Sequence, residues 1–151
     1  MQIVFRNDEG CVRPIGQDHP DITISQREIA LLVSQYRLYG FFRLELETGL
    51  IYFSKAAHEI YGMAFSEGPA NVSELVARTH PDDIELVYQA FEMAASSKAT
   101  FHVIHRYAAQ KGQDKILRVV GRYREGKTPG GELAGVVYEF YERLNMLGLS
   151  G

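Results

Sequence analysis

The run His80-Pro81-Asp82-Asp83 sets an imidazole beside two carboxylates, side-chain types that general acid–base chemistry uses. Two carboxylates divide that work only when they face one cleft with their pKa values pushed apart. Here Ile84, Val87, Tyr88, Phe91, Ala94 and Ala95 follow at the spacing of one helical face, and successive residues on a helix point about 100° apart. A helix start therefore accounts for all four residues. His80 stands at the N-cap, Pro81 at the first position, and Asp82 and Asp83 in the first turn against the positive end of the helix dipole. Each aspartate is expected to contribute on the order of 1 kcal/mol or less. A second candidate group is the pair of histidines in "FHVIHRY". Strand alternation puts Phe101, Val103, His105 and Tyr107 on one face and His102 on the other, so the pair cannot chelate one metal ion. Tyr88 interrupts the apolar stripe of the long helix with a hydroxyl, which needs a partner if buried. The "TPGG" stretch lies between two strand-like runs and suits a hairpin turn, not a phosphate loop. No Ser/His/Asp order with a strand-to-helix nucleophile turn is present, and catalysis is not expected.

The elements that must position these residues are legible in turn. Residues 1–24 read as an irregular segment, with "QIVFR" as a short strand and breaks at Pro14, Gly16 and Pro20. Ser25 and Glu28 form a capping-box pattern ahead of an amphipathic helix predicted over residues 26 to 39, whose apolar face is Ile29, Leu32, Val33 and Tyr36. From Gly40, "GFFRLELETGLIYFS" reads as a hairpin turning at Glu47 to Gly49. Ser54 caps a short helix, "KAAHEIYG", and a loop leads to another, "VSELVART". After the long helix come "TFHVIHRYA", "KILRVVGRYR" and "ELAGVVYEFYE", all strand-like. That order predicts an α+β domain, an antiparallel sheet with helices packed on one face.

Composition narrows the class. A chain of 151 residues builds one domain with a real core. Sixteen basic against 19 acidic residues leave a net charge of -3, so no nucleic-acid partner is expected. The single cysteine, Cys11, rules out an internal disulfide and a cysteine-based zinc site, and fits a reducing compartment. Apolar runs such as "IALLV" are far below spanning length, and "MQIVFRNDEG" lacks the order of a signal peptide, so the expectation is a cytoplasmic protein without membrane contact.

With "GFFRLELETGLIYFS", "HEIYG", "THPDD", "FHVIHRY" and "LAGVVYEFYER" in this order, residues 40–143 resemble the PAS sensory-domain family, in particular its bacterial branch with a His-Pro-Asp-Asp signature. The resemblance implies a five-stranded antiparallel sheet in the spatial order 2-1-5-4-3 with helices enclosing a small cavity. It divides the chain into an irregular segment 1–24, a helix 25–39, a PAS-like domain 40–143 and a tail 144–151. Family members bind haem, flavin, small metabolites or nothing, and signal by dimerisation or through a terminal helix. The chain departs from the family at Glu139, Phe140 and Tyr141, where Asp, an aliphatic residue and Thr usually end the last strand. Phe42 and Ile116 stand near the usual tryptophan positions. Only eight residues follow Arg143, so no output domain is expected in this chain.

On this resemblance the cavity face carries His105, Val103, Tyr88 and Phe91, with Tyr52 and Tyr61 as further candidates. A small ligand with an acceptor or carboxylate is the expected occupant, held more tightly where His105 is protonated. Haem is not expected, because the inward face of the long helix offers no histidine. Covalent flavin photochemistry is excluded on the ground that it needs a cysteine in the loop before that helix. The opposite sheet face would carry Ile104, Ile116, Val120, Val136, Tyr138 and Phe140 among Arg106, Arg118 and Arg122. Bare apolar surface of that size calls for a cover, either the helix at 26 to 39 or a second copy, and a homodimer is expected. The function that follows is a sensory module acting through protein–protein contact or homodimerisation, with a signalling partner in trans. The alternative is a sensor of a small molecule or non-covalent cofactor.

Overall fold

The computed structural model describes residues 19–110 and 113–140. Cys11, the "QIVFR" segment, Tyr141 and the tail lie outside the described residues. The chain divides after Gln35 into two units, each described by itself.

In the first unit, helix α1 (Gln26–Ser34) starts as its capping box demands. Ser25 Oγ accepts the Glu28 N–H at 3.1 Å, and the Glu28 carboxylate accepts the Ser25 N–H at 3.2 Å. None of its residues is buried, and Leu31, Leu32 and Val33 are exposed. The helix ends at Ser34, short of the predicted residue 39. The residues beyond Gln35 belong to the second unit, where the Arg37 guanidinium donates to the carbonyls of Glu139 and Phe140 at 2.8 Å each.

The second unit runs β1 (Gly40–Glu45), β2 (Ile51–Phe53), α2 (Lys55–Ile60), α3 (Val72–Arg78), α4 (Pro81–Ser97), β3 (Thr100–Gln110), β4 (Gln113–Arg124) and β5 (Glu132–Glu139). The strands form one antiparallel sheet in the order β2-β1-β5-β4-β3, as the resemblance implies. Period-2 alternation sends Phe42, Ile51, Phe53, Val103, Leu117, Val119 and Val137 into the core, where all are buried. Each fully buried aliphatic side chain contributes roughly 1.5–3 kcal/mol. Helix α2 reaches this core at Ala57, which is completely buried. Gly40 permits that approach, since a Cβ there would lie 2.5 Å from the Ala57 Cα.

Helix α4 begins at the expected residues. His80 is the N-cap, its Nδ1 accepting the Asp82 N–H at 3.1 Å, and Pro81 occupies the first turn. Lys98 ends it in the left-handed conformation with φ 49°, its N–H bonded to the Ala94 carbonyl. No helix among the described residues is long and apolar enough to cross a membrane.

Candidate functional site

A cavity of about 350 Å³ lies between the helices and the inner sheet face. Leu44, Ile51, Phe53 and Val119 contribute from the sheet, Leu75 and Val76 from α3, and Ile84, Val87 and Phe91 from α4. The helix sequence explains why the space exists. Its buried apolar residues are the small Ala90 and Ala94, while the larger Ile84, Val87 and Phe91 stay half-buried along the cavity. Phe91 stacks on Phe42 with centroids 6.3 Å apart and meets Phe101 edge-on at 5.2 Å. The rings of Phe42 and Phe101 press on Gly121, where a Cβ would stand 2.8 Å from one ring and 3.0 Å from the other.

Polar groups in the lining are few: His105, Tyr61, Thr79, Tyr88 and Glu92. His105 lies on the inner face with Val103 and Tyr107, as alternation and the resemblance together imply, and is 4% exposed. Its Nδ1 is 3.4 Å from the Arg106 carbonyl oxygen. Burial lowers its pKa, opposed by that backbone contact and by the negative charge of Asp83. Tyr61 is buried and stacks on Phe53 at 4.8 Å, and burial, followed by the neighbouring Tyr107, raises its pKa. The Thr79 hydroxyl is already committed to the Leu75 carbonyl at 2.8 Å.

The remaining candidates separate. Tyr88 lines the cavity but is 46% exposed, so it stands at the rim with water available to its hydroxyl and is not the buried residue expected. Tyr52 does not reach the cavity. Ile51 and Phe53 take the inner face of β2, alternation turns Tyr52 outward, and the Arg43 guanidinium lies 4.7 Å from its ring centroid. Val103 is buried in the core cluster and is not among the lining residues. Phe91 and Tyr61 line it.

On the outer face, Ile104, Val136 and Phe140 are half-buried and Tyr36 is exposed. Tyr138, expected on an open apolar surface, is covered from within its own unit. Arg37 sits 4.7 Å from its ring centroid, Tyr39 packs at 5.0 Å, and Arg118 donates to its hydroxyl. Leu32 and Val33 are exposed and Ile29 half-buried in the separate α1 unit.

Three polar anchors escaped the sequence. Asp83 is more than a helix cap: its carboxylate accepts the Arg106 backbone N–H at 2.8 Å, Nε at 2.9 Å and Nη2 at 2.8 Å, tying the start of α4 to edge strand β3. These bonds hold its pKa down at about 2 against the opposing effect of burial. Arg78 donates to the Ala109 and Gly62 carbonyls at 2.8 and 3.2 Å. His58 is buried with Nδ1 2.9 Å from the Ser54 carbonyl and its ring edge-on to Phe53 and Phe65. Only the short spacing from Ser54 to His58 hinted at any of these. Among the described residues, no group of three His, Cys, Asp or Glu could hold a metal ion.

No curated protein matches the chain at a significant level. Solved structures of similar shape include a sensory box histidine kinase/response regulator from Burkholderia thailandensis, with a TM-score of 0.57, 20% identity, and coverage of 77% of this chain and 85% of that one. An RNA-binding light-oxygen-voltage receptor matches with a TM-score of 0.57 and 16% identity over 68% of this chain, which spans 28% of that receptor. A light-oxygen-voltage domain described with a flavin analogue matches with a TM-score of 0.50, 17% identity, and coverage of 78% and 87%. Flavin chemistry thus occurs among structures this chain resembles, and its exclusion from the position of Cys11 gains no support from them. At these identities the likeness shows the fold. Residues 50–133 match the PAS fold family, and with the sheet order and cavity described above the chain belongs to that family.

Proposed function

We propose that the chain is a sensory signalling domain that acts by binding protein, first of all a second copy of itself, and carries out no catalysis. The observation that carries this is an apolar row across three strands of the outer face. Phe41 pairs with Val136 and Val136 with Val120, and Phe41 is 59% exposed. A continuous apolar strip flanked by Arg43, Arg118 and Arg122 suits a protein surface with an apolar centre and an acidic rim. Leu32 and Val33 of α1 are exposed in their own unit and add apolar surface for a second copy to bury. The net charge of -3 favours protein over nucleic acid as the partner. The His80-Pro81-Asp82-Asp83 run supports a bacterial branch of the family, and the single cysteine supports a cytoplasmic setting without a covalent flavin adduct. Sedimentation velocity tests the proposal: the chain should sediment as a dimer and Phe41→Glu as a monomer of unchanged fold. A wild-type chain that stays monomeric at every concentration would refute self-association.

A second function has its own support. A cavity of about 350 Å³, within the roughly 300–1,000 Å³ usual for small-molecule sites, with buried His105 and Tyr61 in an apolar lining, suits a ligand sensor. Ligand binding against α4 would then bias the signalling surface across the sheet.

A further inference from the structure

We infer that the cavity takes a neutral, largely apolar ligand bearing one hydrogen-bond donor, a hydroxyl or amide N–H, which meets His105 Nε2 while its apolar body lies along Ile84, Val87 and Phe91. The inference rests on the ligand-sensor function above and deepens it. Its first support is the charge of the wall. The lining holds no Lys or Arg, and its one ionisable carboxyl is Glu92, so a carboxylate or phosphate entering would lose its water without gaining a cation. A flavin phosphate finds no partner there for the same reason.

The second support is the tautomer of His105. A backbone carbonyl only accepts, so the 3.4 Å approach of Nδ1 to the Arg106 oxygen favours the tautomer with the proton on Nδ1. Nε2 then presents a lone pair, and no group among the described residues donates to it. Desolvation keeps the ring neutral at physiological pH, with Asp83 the nearby acid and Arg106 its ion-pair partner. A ligand O–H or N–H in the cavity supplies the donor that this lone pair can accept. An anion would instead face the lone pair. The third support is the half-buried state of Ile84, Val87 and Phe91, which line the cavity and gain burial from an apolar occupant.

N-phenyl-1-naphthylamine, a neutral apolar fluorophore, should brighten on titration into the full chain near neutral pH. Octan-1-ol should displace it at about tenfold lower concentration than either octanoate or the isomeric ether heptyl methyl ether, which has no donor. His105→Phe should erase the preference of alcohol over ether; if that variant does not fold, the preference in the unaltered chain decides. Octanoate or the ether competing as well as the alcohol would overturn the ligand class while leaving the cavity a binding site. No brightening, or equal brightening with Ala95→Phe, which fills the cavity from the half-exposed rim of α4, would overturn the ligand-sensor function itself.

Discussion

Asp83 and Arg106 are joined at three points, through the arginine backbone N–H and two guanidinium nitrogens, all within 2.9 Å of one carboxylate. The pair links the first turn of the helix that walls the cavity to the edge strand that carries His105. Asp83 is 4% exposed, whereas the Asp82 side chain is 80% exposed.

Asp83→Ala should therefore cost about 2 kcal/mol, lowering the melting temperature by roughly 8 °C, because charged hydrogen bonds are lost at a buried site. Asp82→Ala should cost about 0.5 kcal/mol through the helix dipole alone. Equal losses for the two, by thermal melting, would show that Asp83 acts only as a helix-start charge.

Acid should reveal the same bond. The folded pKa of Asp83 is about 2, below the roughly 3.9 of an unfolded aspartate, so the unfolded chain takes up the proton first. Its contribution is fully present above about pH 4 and is lost as pH falls towards 2. Asp83→Asn should flatten the urea-unfolding free energy across that window relative to the parent; an unchanged acid slope would count against the assignment.

His105 produces a second window. Its folded pKa is lowered by burial below the unfolded value of about 6.5, so its contribution is complete above that pH and declines as pH drops below it. His102 is shifted in the same direction by desolvation and Arg118, and its contribution persists in the variant. His105→Phe should lose less stability than the parent between about pH 6.5 and 5 in parallel melts. A steeper decline in the variant would contradict a buried neutral ring.

Gly40 and Gly49 should respond for different reasons. Gly40→Ala forces a Cβ against the α2 backbone and should cost about 1–3 kcal/mol, whereas Gly49→Ala meets open space at φ 72° and should cost about 1 kcal/mol. Chemical denaturation of both variants tests this, and a neutral Gly40→Ala would mean that α2 is free to lift from β1.

Local physics by itself determined the start of α1 from Ser25 and Glu28, the start of α4 from His80 and Pro81, and the grouping of His105 with Val103 and Tyr107 on one strand face, while the family resemblance turned that face inward. Caps and periodicity act over a few residues, so neighbours in sequence suffice to specify them. The sheet order came from the family resemblance, because pairing β1 with β5 joins residues such as Phe42 and Gly135 that no local signal connects. Only the tertiary structure decided that Asp83 meets Arg106, that Tyr138 lies under Arg37 and Tyr39, and that Tyr88 stays at the rim. Within the second unit it also set Arg37 against the carbonyls of Glu139 and Phe140. Each of those outcomes depends on a partner many residues away in the chain, which propensity and spacing do not encode.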